Sequence, residues 1–153
     1  MEEKERKKII LTALNEAHKA FESEEVPVGA VVFNTKTGEI ITKAHNWVEK
    51  QKNPLHHAEI QAIEKALKKI NDKFLSGYSI FITLEPCVMC AGAIAWARLD
   101  GLFYGASDPK TGAIEQGAKV FSHSQTHHKL KVAKWPNLEC GALMTQFFKR
   151  KRK

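Results

Sequence analysis

The sequence predicts a three-layer α/β/α sandwich, in which helices cover both faces of a mixed five-stranded sheet. Segments with the periodicity of strands alternate with segments of helical periodicity along most of the chain, and this alternation builds a sheet with helices packed against it. The segment Tyr78–Leu84 is apolar on both faces, which is typical of a buried central strand. The 153 residues contain no repeat or linker, so we expect a single domain over residues 1–153.

The first half of the chain predicts a helix, a hairpin and a second helix. Apolar residues recur at helical spacing over residues 3–23. Val26–Phe33 and Glu39–His45 have the composition of strands, and the Asn- and Gly-containing segment between them favours an antiparallel hairpin. The second helix opens near His57. Its apolar face consists of Ile60, Ile63, Leu67 and Ile70.

The second half predicts one long strand, two short strands and two helices. Tyr78–Leu84 runs directly into a helix predicted for Cys87–Arg98. Shorter strands are predicted at Leu102–Gly105 and Lys129–Ala133, and a last helix begins near Asn137. The apolar stripe of that helix consists of Cys140, Met144 and Phe147. Helical crossovers between the later strands predict parallel pairs, in contrast to the opening hairpin.

The charge of the chain is basic and unevenly distributed. The formal net charge is +7, and an unbroken basic tail is predicted at residues 149–153. Such a run favours a polyanionic partner, although a solvated tail that aids solubility explains it equally well. The sequence shows no secretory signal and no apolar run that could span a bilayer, so we expect a cytoplasmic protein without a membrane partner.

A Pro-Cys-x-x-Cys motif lies at the start of one predicted helix. Cys87 and Cys90 are three residues apart, which places both thiols on one helix face, where they can bind one ion together. The positive end of the helix dipole stabilises thiolates. Two thiolates and a histidine would leave a zinc ion one open coordination position.

A His-x-Glu motif lies at the start of another helix. His57 and Glu59 are two residues apart, and side chains in a first turn lean toward the N-terminal end, so both can approach a site beyond it. One of the two can bind a metal ion while the other accepts and donates protons. Together the two motifs are the signature of zinc nucleobase deaminases. The structural alternative is a closed zinc site with Cys140 as fourth ligand, although Cys140 also fits the apolar stripe of the last helix.

With these motifs the chain resembles the bacterial tRNA-specific adenosine deaminases of the cytidine deaminase superfamily. The matching stretches are residues 25–31, Asn46, residues 57–60, residues 83–93, residues 108–113 and the basic end. The resemblance implies a cytidine deaminase-like fold and one zinc ion per subunit, bound by His57, Cys87 and Cys90. Zinc-bound hydroxide would attack C6 of adenine at the wobble position of the anticodon, with Glu59 as proton shuttle, and the product would be inosine.

The resemblance also implies where the tRNA substrate binds. Asn46 would contact the base edge, although a capping role at a strand end is equally compatible with the sequence. Val28, Ala58 and Pro86 would wall the pocket, and Gly29 would let a ligand approach the backbone closely. The implied RNA contacts are Asp108, Lys110, His123, His127, His128, Lys149, Arg150, Lys151 and Arg152. For the residues from Asp108 to His128, ordinary turn or surface-loop roles are the alternative. A homodimer is expected from the resemblance alone.

Two features leave alternatives open. His56 precedes His57, so the choice of the zinc-binding histidine depends on the register of the motif. Ala95–Arg98 is similar to a segment of the guanine deaminases, which makes a free-base guanine deaminase, or a cytidine deaminase, the second candidate. A non-catalytic, zinc-stabilised RNA-binding module is a candidate of another class, and the presence of Glu59 argues against it.

Overall fold

Five strands form one mixed sheet between two layers of helices, as the sequence predicts. The structure is a computed structural model that describes residues 1–151. The strands are β1 (Gly29–Asn34), β2 (Ile40–His45), β3 (Tyr78–Leu84), β4 (Gly101–Ala106) and β5 (Lys131–Lys134). Their order in the sheet is β2-β1-β3-β4-β5. β1 pairs antiparallel with both β2 and β3, whereas the β3–β4 and β4–β5 pairs are parallel.

The helices cover both faces of the sheet. They are α1 (Glu3–Glu22), α2 (Val48–Gln51), α3 (Ala58–Ile70), α4 (Val88–Trp96) and α5 (Leu138–Lys151). α1 and α5 pack on one face, α3 and α4 pack on the other, and α2 is a single turn between β2 and α3. Within residues 1–151, no helix has the length and apolar character needed to cross a membrane.

Alternating side chains along the strands divide the core in two. On the face of α3 and α4, Ala30 and Val32 of β1 pack with apolar residues of both helices. On the face of α1, Val31 and Phe33 pack with an aromatic cluster. The aromatic rings of that cluster belong to Phe33, Phe81, Phe103 and Trp135. Because both faces are covered, the central strands carry apolar residues at successive positions.

Gly29 lies where the backbone of α1 closely approaches the sheet. A Cβ atom at this position would lie 2.0 Å from the carbonyl oxygen of Ala13. The expectation that Gly29 admits a ligand is therefore wrong, because the backbone of α1 fills the space. Strand β1 begins at this residue, three positions later than predicted.

Two predictions about the C-terminal half need correction. Helix α5 continues through Lys151, so Lys149, Arg150 and Lys151 form the last turn of a helix rather than a tail. Cations at this end interact favourably with the helix dipole. Arg152, also predicted to contact RNA, lies outside the described residues. β4 reaches β5 through a connection that contains only the 3₁₀ turn Val120–Ser122, so the parallel pair forms without the expected helical crossover.

Lysines of α3 cover the outer edge of β2. Lys65 Nζ donates a hydrogen bond to the carbonyl oxygen of Lys43 at 3.3 Å, and Lys69 Nζ donates to that of Ile41 at 3.0 Å. Edge strands otherwise expose such groups to pairing with another strand.

Candidate active site

The ends of four strands meet at one edge of the sheet, and a cleft opens there. β1 begins at this edge and β2, β3 and β4 end there, as the pairing of Gly29 with His45 and of Leu84 with Ala106 shows. The cleft has a volume of about 1500 Å³. Its lining comes from the starts of α3 and α4, the loops after β2 and β4, and the last turns of α5.

His57, Cys87 and Cys90 come together at two helix starts, as the two motifs predict. His57 is the residue that precedes α3, and Cys87 is the residue that precedes α4. His57 Nδ1 lies 3.7 Å from Cys87 Sγ and 3.4 Å from Cys90 Sγ. All three ligand atoms lie within 4.8 Å of one another, so they could hold one metal ion.

The three donor atoms suit zinc in both chemistry and spacing. In a tetrahedral site with a sulfur at about 2.3 Å and a nitrogen at about 2.0 Å from the metal, the two ligand atoms lie roughly 3.5 Å apart. The observed distances of 3.4 and 3.7 Å bracket that value. A set of two thiols and one imidazole leaves the fourth position to water or substrate, which is typical of catalytic zinc sites.

Hydrogen bonding gives the two thiols opposite pKa shifts. The hydrogen bond from the Cys90 thiol and, to a smaller extent, the one from His57 lower the pKa of Cys87 to about 4. The same contact between the thiols, together with burial, raises the pKa of Cys90. The hydrogen bond with Cys87 raises the pKa of His57. The trio therefore contains a thiolate at neutral pH, and thiolate is the form of cysteine that binds metal ions.

Glu59 lies beside the trio in the first turn of α3. Its side chain is buried, with only 4% of the residue exposed, yet it lines the cleft. Burial raises the pKa of its carboxyl group to about 7. A carboxyl group with a pKa near neutrality can accept a proton and return it during one reaction cycle, which suits a general acid–base residue.

The structure separates the other candidate ligands from this site. His56 Nδ1 contacts the side chain of Gln51 and takes no part in the metal-binding group. Cys140 lies on the opposite face of the sheet, in a cluster of α1 and α5 with Leu14 and Leu143. Burial raises the pKa of its thiol to about 12. A closed zinc site with Cys140 as fourth ligand is therefore excluded.

Asn46 and Val28 line the cleft, in agreement with the positions that the resemblance implies. Asn46 Oδ1 also accepts a hydrogen bond from the N–H of Ala58, the first residue of α3, at 2.8 Å. It thus caps a distant helix start rather than a turn at the end of its own strand, and a contact with the base stays a prediction. Ala58 is buried in the core, and Pro86 is buried with its carbonyl bonded to the N–H of Ala113. These two residues are not among those that line the cleft, and a contact of either with the base stays a prediction.

Two buried glutamates that the sequence did not single out hold loops at the cleft. Glu25 accepts hydrogen bonds from the N–H groups of Glu49 and Lys50, at 3.0 and 2.9 Å. Glu85 accepts three, each at 3.0 Å. Their donors are the N–H groups of Asp108, Ile114 and Glu115. Glutamates beside turns are usually exposed, so the sequence gives no signal that separates these two from solvated ones.

Four of the predicted RNA contacts line the cleft. They are Asp108, Lys110, Lys149 and Lys151. The carboxylate of Asp108 accepts hydrogen bonds from the N–H groups of Lys110 and Thr111 and from the Thr111 hydroxyl, so it shapes a turn. Arg150 points elsewhere, with its guanidinium 5.5 Å from the ring centre of Phe21.

The structure does not bring the predicted histidines of the β4–β5 connection into the cleft. His123 is exposed and accepts a hydrogen bond from the N–H of Gln125. The ring centre of His127 lies 4.5 Å from that of Trp96. His128 Nε2 lies 2.8 Å from the carbonyl oxygen of Leu99. Trp96 ends α4, about 9 Å along the helix axis from Cys90 and about 13 Å from Cys87. Any contact of these histidines with RNA stays a prediction.

Comparison with known proteins identifies the family. Residues 4–152 match the family of MafB19-like deaminases. A tRNA-specific adenosine deaminase from Rickettsia bellii is 46% identical over 141 residues, which cover 92% of this chain and 97% of that protein. A solved structure from a study of tRNA:A34 deaminases is 41% identical, with a TM-score of 0.81 over 85% of this chain and 98% of that chain. A guanine deaminase from Bacillus subtilis is 27% identical, with a TM-score of 0.63 over 97% and 95%. The chain belongs to the MafB19-like deaminases and to the tRNA-specific adenosine deaminases.

Proposed function

We propose that this protein is a zinc-dependent enzyme that converts adenosine to inosine at the wobble position of the tRNA anticodon. The observation that carries the proposal is the buried carboxyl of Glu59 beside His57, Cys87 and Cys90 in an open cleft. Zinc bound by these three residues would supply a Lewis acid that makes hydroxide available from water near neutral pH. We expect one zinc ion per subunit.

Glu59 moves the protons of the reaction. It accepts a proton from water as the water oxygen bonds to C6 of adenine, and delivers it to the adjacent ring nitrogen. The hydroxyl group now on C6 then loses its proton to the same carboxyl. Glu59 passes this proton to the amino group, which departs as ammonia. Water and adenosine are thus converted to inosine and ammonia, and Glu59 ends in its starting state.

Asn46 orients the base. A backbone N–H can only donate, so the side-chain atom that faces Ala58 is the oxygen, and Nδ2 remains as a donor. Within residues 1–151, Nδ2 has no protein partner. The ring nitrogens of a purine accept hydrogen bonds, and the apolar side chain of Val28 lies in the same cleft.

The charge around the cleft favours an RNA substrate over a free base. Lys50, Lys110, Lys149 and Lys151 are all exposed and all line the cleft. A base can reach Glu59 only when it is turned out of its stack, and the flanking phosphates then lie at the cleft mouth. Lysine side chains interact favourably with phosphates, whereas a free guanine would leave them unused.

The outer surface of α4 supports the expected homodimer. The helix has no polar face, and its residues Val88 and Trp96 are 59% and 71% exposed. A helix that is apolar on all sides is normally buried. We therefore infer that a second copy covers this surface. A tRNA substrate also makes the cytoplasm the expected location.

A direct test offers the zinc-loaded protein tRNAs with adenosine at the wobble position. Reverse transcription reads inosine as guanosine, and the same tRNA with uridine at that position is the negative control. Glu59→Gln is the matched inactive variant. Conversion by the wild type alone would support the proposal.

Parallel assays separate the alternatives. Faster ammonia release from guanine or cytidine than from tRNA would establish a free-base or nucleoside deaminase instead. The absence of any product, together with identical RNA binding by wild type and Glu59→Gln, would indicate a non-catalytic RNA-binding module.

A further inference from the structure

We propose that Glu25 and Glu85 are positioning residues that fix the two sides of the cleft mouth, so that it accepts a nucleotide within an RNA strand. The identity of the substrate rests on the proposed function, whereas the contacts made by the two glutamates do not. We call residues 48–50 the β2 rim and residues 107–111 the β4 rim. Both rims line the cleft.

The topology places one glutamate on each side. At the cleft edge, the order of strands puts β1 and β3 in the centre, with β2 and β4 outside them. Glu25 precedes β1, and Glu85 follows β3 directly. A residue shortly before β1 and the residue directly after β3 therefore each place a carboxylate against the segment that follows the outer neighbouring strand.

Glu25 binds the β2 rim through both carboxylate oxygens. Oε1 accepts from the N–H of Glu49 and Oε2 from the N–H of Lys50, while only 1% of Glu25 is exposed. The carboxylate has no cationic partner within residues 1–151. If the rim moved away, a buried charge would lose its hydrogen-bond donors, so opening of this rim is unfavourable.

Glu85 binds the β4 rim in the same way. Oε1 accepts from the N–H of Asp108, and Oε2 accepts from the two N–H groups that follow the rim. The fit is tight, because a Cβ at Gly112 would lie 2.4 Å from the carboxylate carbon of Glu85. Gly112 and the carboxylate of Glu85 therefore pack closely against each other at the base of the β4 rim.

The rims carry cations on both sides of the cleft. Lys50 lies on the β2 rim and Lys110 on the β4 rim, and both side chains are exposed. In an RNA strand, a nucleotide inserted into the cleft has a phosphate on each side. The spacing of the two lysines therefore affects how tightly the RNA strand binds, and it does not affect the chemistry at the base. Loosened rims should therefore raise KM and leave kcat nearly unchanged.

The test uses Glu25→Gln and Glu85→Gln in the full, zinc-loaded chain. Glutamine keeps the size of the side chain but replaces one acceptor oxygen with an N–H₂ group, which cannot accept from the rim. Glu16→Gln is the matched control, because Glu16 is only 5% exposed and lies on α1, outside the cleft lining. Amide hydrogen exchange, zinc content and kinetics with an anticodon stem-loop are measured for each variant.

We expect amide exchange to accelerate at the β2 rim in Glu25→Gln and at the β4 rim in Glu85→Gln, and at neither rim in the control. KM should rise roughly tenfold in both variants, as for the loss of a charged hydrogen bond. Unchanged exchange would show that the glutamates do not hold the rims. Faster exchange with an unchanged KM would equally overturn the positioning role.

Gly112→Ala provides an independent variant that keeps both carboxylates. Its added methyl group should displace the β4 rim and raise KM by a similar factor, and an unchanged KM would contradict the proposal. If wild-type protein did not act on tRNA at all, the proposed function would fail, while hydrogen exchange would still decide whether the glutamates hold the rims.

Discussion

The side-chain oxygen of Asn46 accepts a hydrogen bond from the N–H of Ala58 at 2.8 Å, across 12 residues of sequence. Ala58 lies between His57 and Glu59, so this bond ties the end of β2 to the helix start that carries both residues. The same side chain keeps its N–H₂ group available to a substrate. Asn46 thus has a structural role, and variants should separate this role from the proposed contact with the base.

Asn46→Asp should keep the bond to Ala58 and lose the donor. We expect kcat/KM to fall tenfold or more, roughly the loss of one good hydrogen bond, with a smaller change in melting temperature than in Asn46→Ala. Asn46→Ala loses both functions and should also lose about 1 kcal/mol of stability. Thermal unfolding and steady-state kinetics check both variants. Full activity of Asn46→Asp would show that the donor is not used.

Removal of any one ligand should abolish stoichiometric zinc binding. We expect one zinc ion per chain in wild type and well below one in His57→Ala, Cys87→Ala and Cys90→Ala, because three ligands are already the minimum for such a site. Metal analysis after gel filtration measures this. Cys140→Ala is the control and should retain zinc, since Cys140 lies on the opposite face of the sheet. Loss of zinc from Cys140→Ala would show that Cys140 is a zinc ligand and would support the closed site instead.

Glu59→Gln should bind zinc normally and lose activity. The amide cannot carry protons, and loss of general acid–base catalysis typically lowers kcat by about 10²–10⁴-fold. Metal content, kcat and tRNA binding are measured on one preparation. A variant with near wild-type kcat would remove Glu59 from the mechanism.

Gly29→Ala should destabilise the fold severely. Its Cβ would lie 2.0 Å from the carbonyl oxygen of Ala13, and backbone atoms cannot yield as a flexible side chain can. We expect a loss of about 3 kcal/mol, the upper range for overpacked cores, in denaturant unfolding. Gly141→Ala is the control within α5, where the nearest atom is 3.8 Å away. It should gain up to about 1 kcal/mol from helix propensity.

Trp96→Glu should convert a dimer to a monomer. A charge in an apolar interface is costly to bury, and Trp96, the aromatic residue of α4, is 71% exposed. Multi-angle light scattering gives the mass. Leu11→Glu is the control, because Leu11 is 59% exposed on α1 and should tolerate a charge. A monomeric wild type would end the dimer prediction.

The sequence predicted that three candidate metal ligands come together, because its signal is local. His57, Cys87 and Cys90 lie at helix starts, and helix starts follow from proline, small residues and the onset of helical periodicity. Cys140 was placed correctly on the apolar stripe of α5 for the same reason. β3 was predicted with its observed bounds, because a fully apolar segment of that length is distinctive.

The features that escaped prediction depend on distant contacts. Glu25 and Glu85 become buried acceptors only when the loops after β2 and β4 fold over them. The restriction at Gly29 is set by α1 on one face of the sheet, and Ala58 is buried in the core cluster on the other face. α2 and the 3₁₀ turn are too short to produce a periodic pattern.

The two lysines of α3 that cap β2 also bear on how copies of this chain can associate. Lys65 and Lys69 occupy carbonyl oxygens that an incoming strand would need, so strand addition at that edge must first displace two ammonium groups. Truncation of these side chains, as in Lys65→Ala and Lys69→Ala, would free the edge as a template for aggregation. Charges that resemble ordinary solvent-facing lysines thus protect the sheet from intermolecular β-pairing.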